Sequence, residues 1–278
     1  MLAASAAVPG TGENILDDDS FREFQRLALE ITGIVLSPEK RPMVSARFTR
    51  RLHALGLERF EDYLALVQDA AHPERAEFID TVTTNLTYFF REPHHFDYLR
   101  DVVLPERAGR AGACGPIRIW SAGCSAGQEP YSIAISVREA DLGVPTRVLA
   151  TDIDRSMVRR GVSGRYREDE LRGLSAKRRE RWMKRAGRDE WLVAPALRDL
   201  LIWKHLNLFD AWPIRPGVDV IMCRNVLIYF DVEHQTRLIR GFARVQRSGD
   251  HLFIGHSETL RDPTGSYERV GNTIFRCR

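Results

Sequence analysis

From Ser20 to about Pro105, apolar residues recur every three or four positions, the spacing of amphipathic helices. Ser20 followed by Glu23 reads as a capping box, in which hydroxyl and carboxylate each satisfy an orphan backbone N–H. Phe21, Phe24, Ala28 and Ile31 then share one face, and Gly33 stops the helix. A second helix is predicted from near Pro42 to Gly56. Val44, Phe48, Leu52 and Leu55 lie on its inner face and Arg47, Arg50 and Arg51 on the other. Two shorter amphipathic helices follow, around Phe60 to Val67 and Pro73 to Val82. Pro93 suits the first position of another, where a missing N–H costs nothing.

The pattern changes after the small-residue stretch Gly109 to Gly115, which reads as a linker. Short apolar runs (Ile117 to Ala122, Val148 to Thr151, Val218 to Cys223, Leu252 to Ile254) alternate with helical segments at Glu129 to Glu139, Ser156 to Gly161 and His234 to Val245. That alternation predicts a mostly parallel α/β sheet. Between a basic helix (Lys177 to Arg185) and the strand containing Leu206, residues Trp191 to His205 read as a small β insertion. Tyr267 to Val270 and Thr273 to Arg276 read as a closing hairpin around Gly271-Asn272.

Composition narrows the class. A 278-residue chain, 44% hydrophobic and 28% charged, has ample core for a large domain and a smaller one. The net charge of +3 is too small to argue for nucleic acid. Cys114, Cys124, Cys223 and Cys277 form no C-x-x-C pair, so reduced thiols are expected rather than disulfides or structural zinc. Cys124 and Cys223 read as ordinary buried thiols. No apolar run approaches membrane-spanning length, and the stretch through Gly12 lacks the features of a signal peptide and reads as a disordered tail.

The chemistry concentrates at strand ends. The first strand runs into Ser121-Ala122-Gly123-Cys124-Ser125-Ala126-Gly127-Gln128-Glu129-Pro130, whose small residues let a ligand approach the backbone. The loop lacks the third glycine of a dinucleotide fingerprint, and Glu129 would repel a pyrophosphate. A carboxylate there suits a ligand bearing an amino group or free hydroxyls. Asp152, at the tip of the second strand, is placed to accept hydrogen bonds from ribose hydroxyls, while Asp154 reads as the N-cap of the next helix. Asn207-Leu208 and Arg224-Asn225 follow later strands, where ligands bind such sheets. His94-His95 reads as polar residues at a helix start, with no acid or cysteine at metal-ligand spacing.

Three stretches together, Thr84 to Glu92, Gly123 to Pro130 and Cys223 to Asp231, resemble the chemotaxis receptor methyltransferase (CheR) family, over nearly the whole chain. The resemblance implies a Rossmann-like class I methyltransferase domain, with a mostly parallel sheet and a small antiparallel β insertion, preceded by an all-α N-terminal domain. The expected boundaries are a tail at 1–14, helical domain 15–92, connecting helix and linker 93–115, and S-adenosylmethionine-binding domain 116–278 with its β subdomain at 188–206. It implies that Asn85, Thr87, Arg91, Gly123, Glu129, Asp152, Asn207, Leu208, Arg224 and Asn225 bind S-adenosyl-L-methionine, which leaves as S-adenosyl-L-homocysteine. Tyr229 matches a tyrosine beside the transferred methyl, and Arg91 and Tyr229 are the expected catalytic pair. Gln128 stands where many relatives carry Glu.

The reaction so implied esterifies glutamates of chemotaxis receptors for sensory adaptation. A glutamate with pKa about 4.3 is already ionised at neutral pH, so alignment rather than a general base is required. Arg47, Arg50 and Arg51 are expected to meet the receptor, whereas the arginines of the basic helix from Lys177 read as a solvated face. The family's β insertion can clamp a tethering peptide; the short Trp191 to His205 stretch, without a Gly-rich loop, predicts binding independent of one. A cytoplasmic monomer is expected, with the cytoplasmic helical region of methyl-accepting chemotaxis receptors as partner and no nucleic acid, membrane insertion or metal. Two alternatives stay open at this point: a methyltransferase with another acceptor, and a non-catalytic module that binds the same cofactor.

Overall fold

The computed structural model describes residues 16–278, the side chains of residues 111–114 excepted; the expected tail at 1–14 lies outside the described residues. Two compact units divide the chain. The first ends at Ile31 and resumes over Leu36–Val82; the second comprises Thr32–Val35 and Thr83–Arg278.

The first unit is built on α1 (Asp18–Thr32), α2 (Arg41–Leu55), α3 (Phe60–Gln68) and α4 (Glu74–Val82). Phe24, Phe48, Tyr63 and Phe78 are fully buried at its centre, with ring centroids 4.6 Å apart for Phe24–Phe48 and 5.4 Å for Phe48–Phe78. Each phenyl withdrawn from water contributes about 1.5–3 kcal/mol. The expected capping box does not form. Asp17 caps α1 by accepting from the Ser20 N–H (2.7 Å), and the buried Ser20 hydroxyl reaches Glu61 at 3.3 Å. Carboxylates at Asp17, Asp18 and Asp19 favour the positive end of a helix, which therefore starts earlier than expected. Leu55 is 38% exposed rather than inward, because Gly56 takes a left-handed φ of 68° and ends α2 there.

The second unit begins with α5 (Pro93–Tyr98), a π-helical turn at Leu99–Val103 and α6 (Leu104–Cys114). The expected linker at Gly109 to Gly115 is thus mostly helix. Its two alanines and Arg110 favour helix, and Arg107 anchors α6 to Asp250 and to the carbonyl of Gly249 (2.6 Å). Strand β1 (Ile117–Ala122), α7 (Gln128–Ala140), β2 (Thr146–Asp152) and α8 (Arg155–Ser163) follow. Next come β3 (Arg165–Arg167), α9 (Ala176–Trp182), β4 (Met183–Arg185), β5 (Glu190–Val193), α10 (Pro195–Arg198) and β6 (Leu201–His205). The unit closes with β7 (Val220–Cys223), α11 (Val232–Val245), β8 (His251–Ile254), β9 (Tyr267–Gly271) and β10 (Ile274–Cys277).

The main sheet has the order β6-β2-β1-β7-β8-β10-β9, parallel from β6 to β8 and antiparallel where β10 enters. Every residue of β7 and of β8 is buried, as expected of central strands covered on both faces.

The β insertion differs from the expected 188–206. It is a three-stranded antiparallel sheet, β3-β5-β4, drawn from Arg165 to Val193, whereas β6 pairs parallel with β2 and belongs to the main sheet. The two strand-like runs have similar local patterns, and only long-range pairing separates them. The premise for tether-independent binding falls with those boundaries, since the loop joining β4 to β5 spans 186–189 and contains Gly187. The basic helix is likewise shorter than expected, because the chain turns into β4 after Trp182. Arg178 is not merely solvated: it makes two bonds to Glu139 (2.9 and 2.7 Å) and lies 3.8 Å over the Phe90 ring. In the closing hairpin Gly271 pairs with Ile274, so the turn residues are Asn272 and Thr273, the latter at φ +55°.

Candidate functional site

A cavity of about 920 Å³, open mouth included, lies at the carboxyl ends of β2, β1, β7 and β6. Successive connections lead outward from β1 in both directions, to β2 on one side and β7 on the other, which leaves a crevice at the strand tips. Its lining includes Asn85, Thr87, Arg91, Gly123, Glu129, Asp152, Asn207, Leu208, Arg224, Asn225 and Tyr229, so the expected cofactor residues and both expected catalytic residues come together. Arg47, Arg50 and Arg51 do not line it. They differ from one another too: Arg51 is paired with Glu74, Arg47 donates to the Thr81 carbonyl (2.9 Å), and Arg50 is exposed.

The first loop is shaped by backbone bonds. The N–H groups of Gly123 and Cys124 both donate to the Thr151 carbonyl (2.9 Å each), tying the β1 tip to β2. Gly123 has φ +90°, and a Cβ there would strike Val226. Ser125 donates its N–H to Asp152 (2.7 Å), and Asp154 donates its own to the other oxygen of the same carboxylate (2.9 Å). Burial pushes the Asp152 pKa up to about 6, against the pull of these backbone donors. Asp154 caps α8 as expected and also holds the Asn85 amide (2.7 Å) and the Thr83 hydroxyl (3.0 Å).

Glu129 stands in the first turn of α7, where the helix end favours a negative charge. It accepts from Ser121 Oγ (2.7 Å) and Arg224 Nη1 (2.9 Å). Burial raises its pKa, while Arg224 and Ser121 oppose the shift. Arg224 is itself buried, and each of its nitrogens has a partner: Nη2 donates to the Arg91 carbonyl, Nε to His95 Nδ1 (2.8 Å), and Glu92 Oε2 lies 3.4 Å from Nη2. Although burial disfavours its charge, Glu92 is held down to about 2 by Arg224 and by His256, which bonds it at 2.8 Å. One guanidinium thus faces two carboxylates, leaving a surplus negative charge beside the cavity. Glu92 Oε2 is buried without a hydrogen-bond partner.

The loop after β7 is organised by a residue that the sequence reading passed over. Glu258 accepts the N–H groups of Asn225 (3.0 Å), Ile228 (3.2 Å) and Gly255. Burial raises its pKa and those donors counter it. Asn225 has φ +59°, and Tyr229 ends a 3₁₀ turn at Leu227–Tyr229 with its hydroxyl 3.4 Å from the Thr84 carbonyl. Phe90, Glu92, Ser125 and Asn225 are four of the six non-glycine residues with positive φ among the described residues; Asn225 lines the cavity, Ser125 bonds Asp152, Glu92 pairs with Arg224, and Phe90 precedes Arg91. Such strain persists only where the surroundings over-determine it. Glu92, His95 and Glu258 were missed. The strand-tip argument that singled out Asp152 and Arg224, applied to Gly255-His256-Ser257-Glu258 after β8, would have reached Glu258.

The arrangement suits a nucleoside with a cationic side chain. Asp152 at the tip of β2 can take hydroxyls and Glu129 in the first turn of α7 an ammonium group, while Ile34, Ile153, Leu206, Leu208, Val226 and Phe230 supply apolar walls.

Comparison with known proteins bears on this geometry. The sequence profile described as the CheR methyltransferase SAM binding domain matches residues 85–275, and that of the CheR methyltransferase all-alpha domain matches residues 19–83. A probable chemotaxis protein methyltransferase of Rhizobium etli is 40% identical over 252 residues, covering 88% of this chain and 94% of that one. The chemotaxis protein methyltransferase of Salmonella typhimurium is 40% identical over 269 residues, covering 94% and 90%. That of Escherichia coli is 39% identical over 267 residues, covering 94% and 91%.

Proposed function

The chain belongs to the CheR methyltransferase family, S-adenosylmethionine-dependent methyltransferases of chemotaxis, and from that premise we propose that its acceptors are glutamate side chains in the cytoplasmic helical region of chemoreceptors. The product would be a glutamate methyl ester and S-adenosylhomocysteine. The observation that carries the reading is the pair of buried carboxylates, Glu129 in the first turn of α7 and Asp152 at the tip of β2, lining one apolar-walled cavity.

These residues fit the cofactor. The surplus negative charge of Glu129 and Glu92 over Arg224 favours one bound cation, and Glu129 is the lining carboxylate that would hold the ammonium group. Asp152 would accept from the ribose hydroxyls, and Leu206, Leu208 and Val226 would enclose the base, with Asn85, Thr87, Asn207 and Asn225 supplying polar contacts. When bound, S-adenosylmethionine supplies a methyl group activated by its attachment to a positively charged sulfur.

The protein's own part is alignment. The acceptor carboxylate needs no base, so Arg91 and Tyr229 would orient it toward the methyl, worth several kcal/mol through effective molarity. Arg91 is anchored for this by Nη1 to the Leu86 carbonyl (3.0 Å) and by lying 6.0 Å over Tyr88. Apolar walls exclude water, which strengthens attraction between a carboxylate and a sulfonium. Exposed Arg50 on α2 is the arginine of its helix best placed to read an acidic receptor helix. The protein would act as a cytoplasmic monomer; among the described residues no helix is long and apolar enough to cross a membrane.

The test is label transfer from methyl-labelled cofactor to receptor cytoplasmic fragments. Label released by mild alkali marks a carboxyl ester; alkali-stable label, or label found only on another acceptor, overturns the proposal.

A further inference from the structure

His95 is a fully enclosed histidine behind the cavity, and the reaction as described makes no use of it. It is 0% exposed, at the third position of α5, with its ring edge-on to Phe253 at 5.4 Å. Its two nitrogens face different partners. Nδ1 lies 2.8 Å from Arg224 Nε. A guanidinium Nε–H can only donate, so Nδ1 accepts and the ring proton is on Nε2. Nε2 then donates toward Thr273 Oγ (2.9 Å) and the Asn272 carbonyl (3.2 Å), and Thr273 Oγ donates in turn to the Asn272 carbonyl (2.7 Å). The tautomer is therefore set by the hairpin turn on one side and required by Arg224 on the other.

The consequence runs toward the cavity. A guanidinium is planar, so a bond at Nε fixes rotation of the whole fork about its Cδ–Nε bond. With Nε held by His95 and the face of the group 5.2 Å from the Phe96 centroid, Nη1 points at Glu129 Oε2 at 2.9 Å. Burial, reinforced by Arg224, lowers the His95 pKa to about 3, so the ring stays a neutral acceptor across the physiological range.

We propose that His95 is a positioning residue that fixes the Arg224 fork and, through it, aims the Glu129 carboxylate at the cofactor's ammonium group. The inference rests on the reading that Glu129 binds that ammonium group. It predicts selectivity for one part of the ligand, since only the amino-acid end of the cofactor meets Glu129, whereas the nucleoside end meets Asp152 and the apolar walls.

Two substitutions separate positioning from packing. In His95→Asn the side-chain oxygen takes the place of Nδ1 and keeps an acceptor for Arg224. In His95→Gln the amide reaches the place of Nε2, keeps the bond to the Thr273 turn and leaves Arg224 Nε without an acceptor. Calorimetry would compare S-adenosylhomocysteine with 5′-methylthioadenosine, which has the same nucleoside and no ammonium group. His95→Gln should weaken S-adenosylhomocysteine by about tenfold, the ordinary cost of one lost buried charged bond, with methylthioadenosine little changed. His95→Asn should restore the wild-type ratio of the two affinities, and the same split should appear as a raised KM with a smaller change in kcat.

An unchanged ratio in His95→Gln, or equal loss of both ligands in both variants, overturns the proposal. If one variant fails to give a cooperative thermal melt, the other is read against the wild type alone: His95→Asn should keep the wild-type ratio and His95→Gln should lower the relative affinity for S-adenosylhomocysteine, and the opposite result overturns the proposal. Glu129→Gln tests the underlying reading separately. If that variant leaves the ratio unchanged, Glu129 does not hold the ammonium group and the reading falls. If its ratio shifts while that of His95→Gln does not, only the role of His95 is refuted.

Discussion

Asp152 carries the most useful titration in the molecule. Its carboxyl pKa rises from the ordinary 3.8 to about 6 in the folded protein, chiefly by burial. The folded state therefore binds this proton more tightly than the unfolded one. The stability it contributes is greatest below pH 3.8 and is lost as the pH rises through 6. A ligand whose hydroxyls donate to Asp152 favours the ionised form and reverses that trend. S-adenosylhomocysteine should bind with constant affinity between pH 7 and 8 and weaken by up to about tenfold from pH 6 to pH 5. Glu129 is shifted in the same direction, so the control is Asp152→Asn, in which the slope should flatten. A wild-type profile that is flat to pH 5 would exclude Asp152 as the titrating contact. Arg91 gives a second residue-scale prediction. It is half-exposed and makes few internal bonds. Arg91→Ala should lower kcat by about a hundredfold through lost alignment while the melting temperature moves little. Wild-type turnover in that variant would remove it from the catalytic pair.

Among the elements, the loop between β7 and α11 shows how a fold imposes a shape that its own sequence does not favour. Asn225 holds a positive φ because Glu258, from the loop after β8, accepts its N–H and those of Ile228 and Gly255. Glu258→Gln replaces one acceptor oxygen with a donor facing those same N–H groups. It should cost about 1–3 kcal/mol of stability and weaken S-adenosylhomocysteine, because Arg224, Asn225 and Tyr229 all ride on this loop. Chemical denaturation alongside ligand titration checks both; unchanged binding would mean that the loop holds its form without Glu258. On α2 the arginines divide by environment. Arg51 bonds the buried Glu74 with two nitrogens and lies 3.6 Å from Glu77, whereas Arg50 is exposed. Arg51→Glu should destabilise the helical unit by about 3–5 kcal/mol by burying like charges together.

For the molecule as a whole, charge supplies the test of partner recognition. Forty-one basic residues nearly balance 38 acidic ones, so attraction to an acidic receptor helix has to come from local placement rather than net charge. Arg50→Glu should weaken binding to receptor fragments several-fold at low ionic strength, with the difference shrinking as salt screens it and with the thermal melt unchanged. Equal affinity of the two proteins in dilute buffer would remove Arg50 from the receptor-binding face.

The sequence by itself determined the kinds of element and the part of the cavity lining that follows strands. Gly33 and Gly56 end helices, alternating apolar runs make a parallel sheet, and polar residues directly after strands fall at the tips where such a sheet binds ligands. These features are local, since periodicity and turn chemistry act within a few residues. Pairing between distant segments was left to the tertiary structure. Leu201–His205 resembles the strands of the small sheet in its local pattern, yet it joins β2, and the small sheet takes its strands from Arg165 to Val193 instead. His95 and Glu258 read as ordinary polar residues until the fold brings Arg224 and three backbone N–H groups against them. A buried hydrogen bond is a property of two positions far apart in the chain, and neither position carries its partner's identity in its own neighbourhood.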